Sequence, residues 1–562
     1  MLRRSQISIG LLLFLGAVAC SDSAGPKLPP CTAAGTNVTL PVVGAYITFD
    51  PTGTSNGCLV FPANGPADSV EFVLIPQLTT GVPGKTSSFR LAGDTIRPAP
   101  VAPIYSISPE SLEELPPAER FHAFLRLGDE THWRELNPQI APPMQAARSP
   151  AAPAGPPAMG SQRTFKVCAK LNCSSFDNVT ATVRALKSNV AIYVDNTAPP
   201  GGLDSTALDS LAITFETRLY PTDTAAFGRE SDIDTNSVVM VLMTNTVNKL
   251  VSDSTCVRSG YVAGFFFGAD IDPAFSNDSR SNKGEIFYSI VADPAGTLSC
   301  SHSVTSVQRL VPVTFIHEFQ HMISFNQHVL IRRGAAEVLW LNEALSHYAE
   351  ELGGRTYASG SPEFSRFVIG DLYNAYLYLD SIRFKFLVPT AGIGSLAERG
   401  AGWLFVRYLV DQYAADTTVA SWNAFTRQML TTTDVGATNI ANRTGSTFTG
   451  VVTRWAIATW VSDLPGFLAP SQLKYTSWQL RTTYDSLHAL YAGNFPKAFP
   501  LDPTFGAGRA VSLTGTLHAG SGFYHRAFQA PSAPGFTLLF STNSGGPLDP
   551  TLAPRLNVIR VR

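Results

Sequence analysis

The sequence predicts a multidomain α+β protein: a central region with a mixed β-sheet and a helical subdomain, flanked by N- and C-terminal β-sandwich-like domains. Three observations carry this expectation. Residues 31–100 and 505–562 alternate apolar and polar positions between Gly, Pro and Ser clusters, the period-two pattern of strands with one buried face. Residues 163–310 interleave β-branched runs with helical stretches, as an α/β layer does. Residues 311–495 carry apolar side chains at helical spacing. At 562 residues the chain exceeds one typical core, and 44% hydrophobic with 15% charged residues is a folded composition. A formal net charge of −2 lacks the basic excess that nucleic acid demands, so no such partner is expected.

Taken in order, Arg3 and Arg4 precede the apolar run "ISIGLLLFLGAVA", too short to span a bilayer and shaped like a signal-peptide core over residues 1–19. The run stops at Cys20 after small residues, which resembles a bacterial lipoprotein signal whose cysteine takes the lipid. Residues 21–30 then form a tether, and the expected location is the cell envelope, lipid-anchored, or the exterior. Cys31, Cys58, Cys168, Cys173, Cys256 and Cys300 suit disulfides in an exported protein. Neighbour pairing (31–58, 168–173, 256–300) keeps each bond inside one domain.

Within 31–100, "DSVEFVLIPQL" and "SSFRLAG" are strands. Residues 101–162 hold a short helical stretch, "SPESLEELPPAERFHAFLRLGDETHWREL", and a Pro/Ala-rich linker that cannot bury a core. From Arg163, "TATVRALKSNVAIYVDN" gives two strands, "SVVMVLMTN" a buried strand and "GEIFYSIVADP" another. "GYVAGFFFGADID" is a glycine-punctuated strand expected at a sheet edge, open to an extended peptide. Helices are expected at 311–328, 335–353, 361–379, 400–414, 420–430 and 450–462.

"HEFQHMISF" places His317 and His321 four apart on one helical face, with Glu318 directly beside the first. Two imidazoles at that spacing can share an ion, and a glutamate so placed can reach a water on it. A catalytic zinc takes three protein ligands. A third histidine in the short register fails, because Ser324 and Gln327 stand where Gly and His are required. "VLWLNEALSHYAEEL" offers Glu343 on a returning helix after a turn near Arg333–Gly334. Glu337, His347 and Glu350 stay open as rivals, and His347, four after Glu343, is also a candidate for orienting a ligand.

HEFQH followed by W-L-N-E resembles the gluzincins. With "FIHEFQHMISFNQ", "WLNEALSHYAEE" and the upstream "FGRESDIDTNSVVMVLMTNTVN", residues 163 to about 465 are similar to the hyicolysin family of bacterial secreted metallopeptidases. The resemblance implies a zincin-like core, one catalytic zinc ion and hydrolysis of peptide bonds in extracellular or envelope proteins. It also implies His317, His321 and Glu343 as ligands and Glu318 as general base. Thermolysin-like members carry an aspartate four after the ligand glutamate, where this chain has His347. For the residue that stabilises the oxyanion, Tyr348, Tyr373, Tyr376 and Tyr378 are open candidates. A zinc aminopeptidase is a rival reading, but no Gly-x-Met-Glu-Asn segment is present. A non-catalytic envelope protein on the same scaffold is another. The acidic turns "SDIDTN" and "GADIDP" are either calcium loops or ordinary turns. The expected assembly is a monomer with protein or peptide substrates.

Overall fold

The structure, a computed structural model, describes residues 28–29, 31, 35–95, 115–133, 155–389 and 393–562. The signal segment, Cys20, most of the tether and most of the Pro/Ala-rich linker lie outside the described residues.

Strands from the two ends of the chain build a single unit, where the sequence suggested two separate domains. One five-stranded sheet runs Thr36–Asn37, Cys58–Phe61, Phe536–Ser541, Thr86–Gly93, Ser512–His518. The other runs Thr504–Ala507, His525–Gln529, Val70–Leu78, Pro554–Arg560, Tyr46–Phe49. Phe536–Ser541 thus lies between two N-terminal strands, and Val70–Leu78 between two C-terminal ones, antiparallel to both. Both sheets contribute to one apolar cluster that includes Phe61, Phe72, Leu74, Phe89, Phe540 and Val558. Phe61 stacks on Phe536 with ring centroids 4.3 Å apart. A period-two pattern fixes which face is buried but not which strand is the partner, and that is why the two halves read as independent.

Val70–Leu78 is buried along its whole length. Phe72 and Leu74 face the cluster between the sheets, while Val73 and Ile75 join the main core. Hydrogen bonds from Tyr524 Oη to the Ala456 carbonyl and between Tyr378 Oη and Ser521 Oγ, both 2.7 Å, tie this unit to the helices.

The central sheet has six strands in the order Gly264–Phe266, Ile286–Ser289, Val239–Met243, Val190–Asp195, Phe176–Leu186, Gln162–Cys168. The inner three are mutually parallel and the rest antiparallel. "VMVLM" is continuously apolar because both faces of a parallel strand are covered. The "GYVAGFFFGADID" stretch supplies only Gly264–Phe266, at the edge.

Six long helices follow: Val304–Phe325, Leu339–Gly354, Pro362–Ser381, Leu396–Tyr413, Val419–Leu430 and Phe448–Val461. The first begins earlier than expected, because Ser303 caps it through the Ser306 N–H while Pro312 sits inside it. Gly436–Thr444 and Leu480–Leu490 are further helices that the pattern did not indicate. The cysteines pair 31–58, 168–173 and 256–300. No described helix is long and apolar enough to cross a membrane.

Deleting residues 504–562 should leave residues 36–93 unfolded despite their intact sequence. Limited proteolysis checks this: rapid cleavage within 36–93 is expected, and protection equal to that of the full chain would contradict the interleaved sheets.

Candidate metal centre

The helix Val304–Phe325 is seated by its apolar side. Val311, Phe315, Phe319, Met322 and Ile323 are buried, with Phe315 edge-on to Phe287 of the central sheet at 4.8 Å. Tyr220 stacks on Phe319 at 5.4 Å. With that side fixed, His317 and His321 share another face, and their Nε2 atoms stand 3.2 Å apart. The chain reverses through Arg333, whose φ is 56°, and returns as Leu339–Gly354, every residue of which is buried.

Glu343 on this second helix faces both imidazoles. Its Oε2 is 3.5 Å from His317 Nε2 and its Oε1 3.5 Å from His321 Nε2. Those distances are too long for good hydrogen bonds, so the carboxylate faces the two histidines in charge alone and neither oxygen accepts a hydrogen bond, although the residue is 1% exposed. A buried carboxylate left in that state is strongly destabilising unless a cation meets it. An ion holding tetrahedral ligands at ~2.0–2.2 Å separates the ligand atoms by about 3.3–3.6 Å. The imidazole pair at 3.2 Å and the two histidine–carboxylate separations of 3.5 Å, one to each oxygen, come close to that spacing, and the three residues form one of the described clusters able to hold a metal.

The far side of each imidazole is also engaged. His317 Nδ1 lies 2.7 Å from Glu350 Oε1. His321 Nδ1 lies 3.0 Å from Asn342 Oδ1 and 3.1 Å from Ser346 Oγ, and Ser346 in turn donates to Gln320 Oε1 at 2.5 Å. Such partners fix the rings so that the Nε2 atoms point at Glu343. Burial pulls the His317 imidazolium down, but Glu343 and Glu350 outweigh it and lift the group to about 10. Burial, reinforced by Arg126, drives His321 down to about 3.

The rivals for third ligand separate on position. Glu350 backs His317 Nδ1 and also lies 3.1 Å from His347 Nδ1. His347 Nδ1 is 2.9 Å from Asp371 Oδ1, so it meets the centre through Glu350; with Glu350 and His317 it forms a second, overlapping metal-capable group. Glu337 is spent elsewhere, accepting from the Val338 and Gly436 N–H groups and Asn439 Nδ2. Among the oxyanion candidates, Tyr348 Oη accepts from Arg407, Tyr376 Oη accepts from the Lys497 N–H, and Tyr378 pairs with Ser521. Tyr373 packs edge-on against Phe495.

Glu318 is 1% exposed, and its Oε2 accepts the Phe266 N–H of the edge strand at 2.7 Å. Burial raises its carboxyl above the usual range, the direction that suits a group exchanging protons near neutrality.

Several residues escaped the sequence reading. Asn342, inside W-L-N-E, was passed over beside its charged neighbour. The helix Pro117–Thr131, assigned by sequence to a connecting segment, packs on the edge strand instead. Arg126, 2% exposed, donates from Nη2 to the Phe266 carbonyl at 2.8 Å, and Phe121 packs edge-on to Phe265 at 5.0 Å. Burial holds the neighbouring His122 well below its usual range despite the opposing charge of Glu343. Phe121, Leu125 and Gly128 at helical spacing were the available sign that this helix docks.

Glu351 anchors the second helix from its other side. It accepts from Trp403 Nε1, Trp478 Nε1 and Arg355 Nε at 2.7–3.0 Å, and lies 3.3 Å from the fully buried Arg407.

No family model matches the chain. A neutral metalloprotease of Staphylococcus hyicus is 27% identical over 139 residues, 25% of this chain and 29% of that protein's length. The similarity is distant, and the match spans less than a third of that protein's length.

Glu350→Ala should weaken metal binding by about ten- to a hundred-fold, since it removes the partner of His317 Nδ1; competition with a calibrated chelator reads this. Glu351→Ala should destabilise the chain by about 1–3 kcal/mol in urea unfolding, because the Trp403 and Trp478 N–H groups lose their acceptor while Arg407 keeps Asp411 at 2.9 Å.

Proposed function

We propose that the chain is a zinc-dependent endopeptidase of the gluzincin type, on a zincin-like core, acting on extracellular or envelope proteins. One observation carries this reading: the buried Glu343 carboxylate, which accepts no hydrogen bond and faces two imidazole nitrogens, with Glu318 beside them on the histidines' helix. The similarity to a neutral metalloprotease supports it.

In this reading His317, His321 and Glu343 hold the ion. Zinc bound there supplies Lewis acidity, polarising a carbonyl and bringing the pKa of water towards about 7. Glu318, positioned by the Phe266 N–H, accepts the proton of the attacking water and returns it to the leaving amine. The edge strand Gly264–Phe266 lies against the helix that carries Glu318, and an extended peptide can add there as a further strand only by displacing Arg126 from the Phe266 carbonyl. Glu350, Asn342 and Ser346 keep the imidazoles in register. Cys20 is proposed as the lipid attachment that holds the enzyme to the cell envelope.

Zinc content and casein cleavage, measured together, test this. Glu318→Gln should keep the metal and lose about 10²–10⁴-fold in rate. Glu343→Gln should lose both. A wild-type chain that takes up no zinc, or a Glu318→Gln variant that cleaves at the wild-type rate, overturns the proposal.

A further inference from the structure

The turn "SDIDTN" lies far along the sequence from HEFQH and takes no part in the site above. We propose that Asp232, Asp234 and Glu285 form a separate calcium site. Each offers an oxygen, and these oxygens lie within 4.8 Å of one another. The independent observation is Glu285, which is 1% exposed. Its Oε1 accepts from Ser231 Oγ and the Ile233 N–H, and its Oε2 has no partner. A carboxylate oxygen buried among other carboxylates without a donor points to a cation. Arg163 Nη1, 3.7 Å from Asp234 Oδ2, offsets part of the negative charge, with three carboxylates gathered there.

The donor chemistry selects the ion. Only oxygen is offered, from carboxylates, which suits a hard divalent cation and not zinc. Asp232 and Asp234 stand at alternate positions of one turn and Glu285 comes from a distant segment, an irregular arrangement that calcium accepts and magnesium, which requires near-octahedral geometry, does not. Asp232 is exposed, so the ion enters from solvent. Once bound, it ties the turn ahead of Val239–Met243 to the residue ahead of Ile286–Ser289, bracing neighbouring strands of the sheet whose edge positions Glu318.

Equilibrium dialysis and thermal unfolding of the full, zinc-loaded chain test this. Wild type should bind one calcium per chain and melt at a higher temperature with it. Glu285→Gln, which keeps the acceptor for Ser231 and Ile233, should bind about tenfold more weakly or worse and lose the calcium-dependent rise. Asp232→Asn, at an exposed position, should weaken uptake in the same direction and carries the test if Glu285→Gln fails to fold. No stoichiometric uptake by wild type, unchanged affinity in the folded variants, or equal affinity for magnesium overturns the proposal.

A different observation carries a second inference, which rests on the peptidase reading. We infer that the helix Pro117–Thr131 occupies the place of an extended substrate and slows, without abolishing, access of a peptide to the edge strand. Phe266 has its carbonyl taken by Arg126 and its N–H by Glu318, while Phe121 covers Phe265 and Trp133 covers Phe267. A peptide pairing with this edge must first displace the helix. In Phe121→Ala/Arg126→Ala, a chelator should strip zinc about tenfold faster than from wild type, and casein cleavage should rise. Unchanged stripping overturns the inference. So does equal acceleration in Phe540→Ala, a destabilising control in the β-unit. Faster stripping with no cleavage by either protein leaves the helix as a cover over the metal centre but sinks the peptidase reading, and with it the restraint on substrate.

Discussion

Glu343 carries a carboxylate into a helix with no exposed residue, and its surroundings are arranged around that charge. A charge sealed among apolar side chains is tolerated only if something positive meets it. Two imidazoles from the facing helix approach it, His317 backed by Glu350 and His321 by Asn342 and Ser346. The far nitrogens are occupied, so the near ones have one direction in which to act.

The anchoring continues outward in layers. Glu351, adjacent to Glu350 on the same helix, faces the opposite way into two tryptophans and two arginines. Buried ion pairs of this kind add little net stability, because desolvation cancels much of the attraction. Their effect is geometric: they fix the rotation of the helix and therefore the bearing of Glu343. Gly402 completes the arrangement, since a Cβ there would come within 2.9 Å of the Ala344 side chain, next to Glu343. Close approach of these two helices depends on that missing methyl.

Local spacing made part of this legible in the sequence. His317, Glu318 and His321 are neighbours in sequence, and a helix turns that spacing directly into geometry. Glu343 was reachable because a short turn and a helix limit where a returning carboxylate can go. The choice among Glu337, His347 and Glu350 was not legible, since it depends on distant partners such as Asn439 and Asp371. Arg126 and His122 were hidden for a different reason. Their segment is flanked by proline-rich stretches that resemble a linker, and nothing local identifies the strand it packs on. The shared sheets were hidden likewise, because alternation specifies a face and leaves the partner undetermined.

That sharing of strands sets the order in which the chain can assemble. Val70–Leu78 has both neighbours, His525–Gln529 and Pro554–Arg560, near the far end of the polypeptide. Pairings so distant in sequence give a high contact order and a slow search, and loop closure must be met before any contact repays it. The helical region, rich in local contacts, can condense while the β-unit is still an open set of edges. The two ends of the molecule are then the last parts to become protein-like, and the metal centre matures inside a chain whose termini have yet to find each other.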